Sequence, residues 1–330
     1  MTAWHELALW GAAAWLAALV AALVAAALAV MGRRWLESWP AVPRYRALFA
    51  LSAAPAALGV ALLLAVMLPS LVSLFTGVDH CGVHDDGHIH LCFLHQPHAE
   101  LEAWVVVALT VSALILLGRM GYALQRLQRG RRLALALTLT SQPQAADSRV
   151  SLVESSLPLC LTVGLWKPTV LFSRALWNGL TSAERAVLLA HEVEHIRRRD
   201  ALFQLIARSF GVLHLPSIRC WLRQELELAA EQACDEAAGE RVGDRVLVAE
   251  VLLKLARLRE STATHKLGGL AVSFNGSALE RRVRNLLAEA GCPRLPRGLA
   301  LGTAAALLAP LLASHQVHHA AESLISLLTG

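Results

Sequence analysis

A short stretch of the sequence, HEVEH, contains three residues capable of metal and acid–base chemistry. His191 and His195 are four residues apart, so on a helix their imidazoles project from one face and can reach the same metal ion. Glu192 lies beside them, where its carboxylate can take a proton from water at the metal. The pattern, of the HEXXH type, indicates a zinc site at which Glu192 could deprotonate the bound water. The alternative is a surface helix whose His and Glu side chains are merely solvated.

Two further features favour a metal site over a solvated surface helix. The residues before the motif, AVLLA, make this part of the helix apolar, which is not typical of a solvated surface. Downstream, Glu231 and Asp235 are again four apart. A Glu there can supply a third ligand to Zn²⁺, and an Asp can accept the remaining N–H of a liganding His and fix its tautomer. We therefore predict His191, His195 and Glu231 as ligands, with Asp235 behind them.

The elements that position these residues are predicted from local signals. Thr181 and Glu184 fit a capping box, and neither Gly nor Pro follows before Asp200, so a helix that begins near Ser182 carries the motif. Further helical stretches are predicted at 202–213, 221–239 and 247–259. Residues 149–173 are rich in Val, Leu and Thr around a Trp-Lys-Pro turn, which predicts short strands joined as a hairpin. Its edge could pair with an extended substrate, and a purely structural hairpin is an equal alternative.

The composition is that of an integral membrane protein. Of 330 residues, 56% are hydrophobic, and the mean hydropathy is +0.50. Uncharged apolar runs predict four spans, at 7–32, 47–78, 103–118 and 298–317. We therefore expect membrane lipid as a partner. The net charge of +5 needs no nucleic acid to explain it, and we expect no direct nucleic acid binding.

The basic residues orient these spans. All 30 Lys and Arg lie between the first two spans, at or after the end of the third, or before the fourth, whereas the remaining loops carry only acidic charges. Because Lys and Arg are retained on the cytoplasmic side, both termini are expected outside. The predicted domains are 1–118, with three spans and an external loop, 119–297, a cytoplasmic metallopeptidase domain, and 298–330, with the fourth span and a short external tail.

The external loop, residues 79–102, is rich in His and Cys. Imidazole and thiolate suit copper and zinc, so the loop predicts a transition-metal sensor. A metal that bridges this loop and the His-containing tail could shift the helices that frame the inner domain. The alternative is a disulfide between the two loop cysteines, which would close a short solvated loop. The candidate sensing residues are His80, Cys81, His84, His88, His90, Cys92, His95 and His98.

Three segments in order, GLWKPTVLF, LLAHEVEHIRRRD and EQACDEAA, resemble the BlaR/MecR-type antirepressor membrane zinc metallopeptidases of bacteria. The resemblance covers roughly residues 150–290. It implies the zinc ligands His191, His195 and Glu231, the general base Glu192, and Asp235 behind the ligands. It also implies cleavage of a cytoplasmic repressor, often with self-cleavage, at the bacterial inner membrane. The expected fold is a mainly α-helical polytopic membrane protein, with four transmembrane helices and a cytoplasmic gluzincin-like metallopeptidase domain that contains a small β-sheet.

The chain departs from the family pattern in two places. Where the family tends to have Asn-Pro shortly after a His, this chain reads LHLPSIRCW, so we interpret His214 as a packed or interfacial residue. Only a short tail follows the last predicted span, with no room for a penicillin-binding domain, so we expect no β-lactam sensing of that kind. Two other functions stay open: a housekeeping membrane protease of the heat-shock type, and a non-enzymatic metal-binding membrane sensor. The oligomeric state also stays open.

Overall fold

The computed structural model describes residues 2–77, 91, 102–144, 147–155, 157–164, 168–267, 276–288 and 298–327. These residues form a mainly helical structure with a small β-sheet. The elements in chain order are α1 (Thr2–Glu37), α2 (Ala41–Thr76), α3 (Ala103–Thr140), β1 (Gln142–Gln144), β2 (Asp147–Val153), β3 (Cys160–Val163), β4 (Thr169–Ser173), α4 (Arg174–Gly179), α5 (Ser182–Arg198), α6 (Asp200–Phe210), a 3₁₀ turn (Gly211–Leu213), α7 (Pro216–Val242), α8 (Arg245–Leu267), α9 (Gly276–Leu287), α10 (Gly298–Leu312) and α11 (Ser314–Ser326).

Three helices of the described residues, α1, α2 and α3, are long and apolar enough to cross a membrane. The first three predicted spans are thereby confirmed as candidate membrane helices. α3 is one continuous helix of 38 residues, so the predicted domain boundary at residue 118 falls inside it. Arg119 on this helix donates to the Val212 carbonyl at 2.8 Å, which ties α3 to the 3₁₀ turn.

The fourth predicted span, 298–317, is not a single helix. α10 ends at Leu312 and α11 begins at Ser314. The 15 residues of α10 cover about 22 Å, which is shorter than a bilayer core of about 30 Å. The physical reason is that α11 is amphipathic: its apolar residues Val317, Ala321 and Ile325 pack with Leu9 of α1 and Val66 of α2. An uncharged run alone did not reveal this interruption of the helix.

The described strands form one sheet in the order β1-β2-β4-β3. β3 and β4 pair antiparallel, which confirms the predicted hairpin, whereas β2 pairs with β4 in parallel. β3 therefore lies at an edge of the sheet. Buried side chains of the sheet, such as Val170 and Phe172, pack with α4, α5 and α8 to form one hydrophobic core cluster.

The four helices predicted after residue 180 are present with shifted ends: α6 begins two residues earlier than expected and ends at Phe210, and α7 and α8 extend beyond both predicted ends. α5 begins at Ser182 with both hydrogen bonds of the capping box between Thr181 and Glu184. A separate apolar cluster joins the inner end of α2 to α6 and α7, with Leu48 of α2 packed among residues such as Leu222 and Ala229. A membrane helix thus packs directly against the helix that carries Glu231.

Candidate metal centre

The two motif histidines converge on one point in front of α5. His191 and His195 lie one turn apart on the helix, and their Nε2 atoms are 3.2 Å from each other. His191 is buried and His195 is partly exposed. Two nitrogen donors with that separation can share one metal ion.

α7 brings the third donor to the same point. The Glu231 carboxylate oxygens lie 3.5 Å from His191 Nε2 and 3.5 Å from His195 Nε2. Ligands bound to zinc at about 2.0 to 2.2 Å in tetrahedral geometry are separated by about 3.3 to 3.6 Å. The three donors, which all lie within 4.8 Å of one another, therefore fit a zinc site with its fourth position open.

The outer nitrogen of each imidazole contacts a carboxylate. Asp235 Oδ1 lies 3.0 Å from His191 Nδ1, in the position expected for it from the sequence. Asp200 Oδ2 lies 2.8 Å from His195 Nδ1. Such contacts favour a proton on Nδ1, which leaves Nε2 free as a ligand.

Asp200 was not predicted as a site residue. It follows His195 by five residues, a spacing that does not bring two side chains together on one helix. Arg199 resolves this: it has a left-handed backbone, with φ of 56°, which ends α5 and starts α6. The chain therefore reverses there, and the Asp200 side chain turns back toward His195.

α9 adds a cation that sequence reasoning also missed. Arg282 contacts Asp235 through two donors, at 2.7 and 2.7 Å, and its Nη1 lies 2.9 Å from Glu231 Oε2. Asp235 is fully buried, so its charge depends on this partner. The guanidinium thus holds the proposed ligand Glu231 and the partner of His191 in one arrangement.

These contacts set the ionisation of the site. Burial opposes the charged form of Asp235, yet Arg282 and the hydrogen bond to His191 hold the pKa of Asp235 below its ordinary value. Burial likewise opposes ionisation of Glu231, but both histidines and Arg282 keep the pKa of this carboxyl well below its usual range. Burial would lower the pKa of His191, whereas Asp235 and Glu231 raise it to about 9. Without metal, the site therefore holds a proton at neutral pH.

Glu192 contacts the edge strand β3. Thr162 donates its hydroxyl to Glu192 Oε2 at 2.7 Å, and the Cys160 thiol lies 3.6 Å from Oε1. Residues two apart on a strand share a face, which explains why both side chains reach the same carboxylate. Burial, followed by the proximity of Glu192, raises the pKa of Cys160 well above its ordinary value, so its thiol stays protonated. The strand therefore holds the candidate base in place.

A second group of possible ligands overlaps the first. His195, Asp200 and Cys234 also present donor atoms within 4.8 Å of one another. However, Arg198 Nε lies 3.3 Å from Asp200 Oδ1, and a cation there disfavours a second metal. We interpret this group as support for His195.

A cleft of about 700 Å³ opens over these residues. Leu161 of β3 and Gly164 lie along one side of it. Apolar side chains from α8 and α9, including Leu252, Leu255 and Leu279, line another part. The cleft is large enough for several residues of an extended peptide.

Comparison with known families agrees with this geometry. A family described as BlaR1 peptidase M56 matches residues 96–286. The chain belongs to the M56 peptidase family. Membership, together with the three apolar helices, indicates a membrane metallopeptidase, and therefore a metal cofactor. No curated protein and no solved structure matches the sequence.

Not every predicted site residue of this M56 peptidase can be placed. The eight candidate sensing residues, His80, Cys81, His84, His88, His90, Cys92, His95 and His98, lie outside the described residues. His214 is buried, and its Nε2 lies 3.0 Å from the Leu51 carbonyl oxygen, away from the three donors. In the tail, His318 is buried against the Val66 carbonyl and Glu322, so it is held within the helices.

Proposed function

We propose that this chain is a zinc metalloendopeptidase of the membrane. The observation that carries the proposal is the arrangement of His191 Nε2, His195 Nε2 and the Glu231 carboxylate. The two nitrogens are 3.2 Å apart, and each lies 3.5 Å from one of the two carboxylate oxygens, which fits tetrahedral zinc. Zinc, when bound, supplies Lewis acidity that polarises a peptide carbonyl and lowers the pKa of water. The imidazole tautomers fixed by Asp235 and Asp200 hold the ligands ready for it.

Glu192 acts as the general base in this proposal. Its carboxylate takes a proton from the attacking water and delivers it to the nitrogen of the leaving amine. The Thr162 hydroxyl donates a hydrogen bond to Oε2, so the strand keeps the carboxylate oriented during this transfer. Leu161, between Cys160 and Thr162, lies on the edge strand that borders the cleft. An extended substrate can pair with this edge and place its scissile bond over Glu192.

The biological substrate we propose is a cytoplasmic transcriptional repressor. This rests on family membership and on the basic segments that favour a cytoplasmic inner region. The peptidase would then act as an antirepressor at the bacterial inner membrane, with both termini outside. Self-cleavage within residues 265–285 is part of the same proposal.

The proposed input is a transition metal at the external loop. Leu91, the described residue of this loop, donates its N–H to Glu322 at 2.9 Å, and its carbonyl accepts from Ser70 at 2.5 Å. The loop is therefore joined to α2 and to α11. A metal that changes the conformation of the loop could therefore move α2 and α11 through these two hydrogen bonds.

Glu192→Gln tests the enzyme. The purified full chain should retain zinc and lose cleavage of a peptide or repressor substrate, whereas His191→Ala should lose zinc. Equal cleavage by wild type and Glu192→Gln would overturn the proposed mechanism. Zinc binding without any cleavage by wild type would instead support the non-enzymatic metal-binding sensor, and broad cleavage of unfolded proteins would support the housekeeping protease.

A further inference from the structure

The N-terminal end of α2 contacts residues that hold the side chains of the metal centre in place. Arg44 and Tyr45 lie in its first turns, and both side chains are buried, at 5% and 6% exposure. Buried side chains of this size are ordered by what they contact. Their contacts lead to different sides of the same site.

Tyr45 is connected to His195 by three successive side-chain contacts. The Arg198 guanidinium carbon lies 4.7 Å from the centre of the Tyr45 ring, which is a cation–π contact. Arg198 Nε in turn lies 3.3 Å from Asp200 Oδ1, and Asp200 Oδ2 lies 2.8 Å from His195 Nδ1. The Tyr45 ring therefore buttresses the cation that holds the carboxylate behind a candidate ligand.

Arg44 is connected through hydrogen bonds to α7 and α9, which form another side of the site. It donates to the side-chain oxygen of Gln232, the residue that follows Glu231. Gln232 Nε2 then donates to the Arg281 carbonyl at 2.9 Å, next to Arg282. This second route fixes α7 and α9 to α2 without contacting a ligand side chain itself.

We propose that Tyr45 is a positioning residue for the metal centre, which acts on His195 through Arg198 and Asp200. It makes the geometry of the site depend on where the membrane helix α2 lies. The inference rests on the proposed zinc site, and not on the identity of the substrate. Metal affinity is its main readout, so it can be tested whether or not a substrate is known.

The test is a double-mutant cycle between Tyr45→Leu and Asp200→Asn in the full chain, purified in detergent. Zinc Kd is measured by competition with a chelator, and the absorption spectrum of the Co²⁺-loaded protein reports the ligand geometry. Loss of a group that orients a metal ligand typically costs 10-fold to 100-fold in affinity. We expect about a 10-fold higher Kd for Tyr45→Leu, a changed Co²⁺ spectrum, and little further loss when Asp200→Asn is already present.

Phe49→Leu is the matched control. Phe49 lies one turn further along α2 and packs edge-on against Phe203 of α6, with ring centres 5.2 Å apart. The Phe49→Leu substitution removes an aromatic ring from the same interface, but this ring does not make the cation–π contact that Tyr45 makes with Arg198. Its zinc Kd should stay within twofold of wild type. Tyr45→Phe keeps the ring over Arg198 and should retain most of the affinity. If Tyr45→Leu fails to fold, Tyr45→Met, which also lacks the ring but fills the space with a longer side chain, replaces it in the cycle.

Three results would overturn the proposal. They are an unchanged Kd in a folded Tyr45→Leu protein, an equal loss in Phe49→Leu, and fully additive losses in the cycle. A wild-type protein that binds zinc tightly but cleaves no substrate would contradict the proposed enzyme, and it would leave the cycle measurable. Failure of the two proposals is therefore distinguishable.

Discussion

The Thr162 hydroxyl donates to Glu192 Oε2 at 2.7 Å, so a side chain of the edge strand orients the candidate base. The contact joins β3 to α5 next to the cleft, where a substrate strand would pair. Substrate binding and orientation of the base therefore share one structural element.

Thr162→Val should impair catalysis without releasing the metal. Valine has nearly the same shape but cannot donate, so the Glu192 carboxylate loses its fixed orientation. We expect kcat to fall by about 10-fold to 100-fold, with zinc Kd within twofold of wild type. Thr162→Ser keeps the hydroxyl and should retain most of the rate. A large loss of zinc in Thr162→Val would instead indicate a structural role.

Arg282→Met should destabilise the inner region. It removes the two guanidinium donors of the fully buried Asp235 and leaves His191 Nδ1 as its contact, and loss of one partner of a buried ion pair costs about 3 to 5 kcal/mol. Thermal unfolding of the metal-free protein in detergent should show a clearly lower Tm. Arg284→Met is the control on the same helix, because Arg284 is exposed and pairs only with Glu280 among the described residues. That exposed pair should contribute less than about 1 kcal/mol, and equal losses in the two variants would refute the assignment.

Zinc affinity should rise with pH through the neutral range and beyond it. The pKa of His191 is raised from 6.5 to about 9, so the metal-free site keeps a proton that zinc must displace. Burial would lower the pKa of His195, but its contacts with Asp200, Cys234 and Glu231 raise it, so a second proton must also be displaced. Below pH 9, each pH unit should lower Kd by about 10-fold for each proton displaced. Chelator competition at several pH values measures this. A Kd that is the same at pH 6.5 and 8.5 would contradict the proton competition.

The external loop should respond to copper, silver or zinc if it is the sensor. Cleavage of the substrate is followed in liposomes with metal titrated on the outer side only. Wild type should change its rate, whereas a variant with His84, His88 and His90 replaced by Ala should not, because it lacks imidazole ligands. Reporter fusions after residues 87 and 132 should first register as external and cytoplasmic, respectively. An equal response of wild type and variant would remove the loop from the signalling proposal.

The central motif was predictable because its information is local. Four-residue spacing on helices brings His191 toward His195 and Glu231 toward Asp235, and both helices form as the sequence indicates. The break between α10 and α11 at Ala313 was not predictable from an uncharged run. It depends on α11 packing its apolar face against α1 and α2.

The residues that support the site were missed for a different reason. Asp200 reaches His195 only because Arg199 adopts a left-handed conformation, which is uncommon for a residue other than Gly. Cys160 and Thr162 share a strand face, and this alternation is visible in the sequence. Their contact with Glu192 of α5, however, is set by tertiary packing. Arg282 stands in a run of arginines, and nothing local shows that it turns inward.

Arg282 also comes last along the chain among the residues described at the centre. During synthesis, the helices that carry His191, Glu231 and Asp235 leave the ribosome before α9 does. Until then Asp235 lacks the two guanidinium donors that stabilise its buried charge. The order of the residues therefore postpones completion of the centre to a late stage of translation.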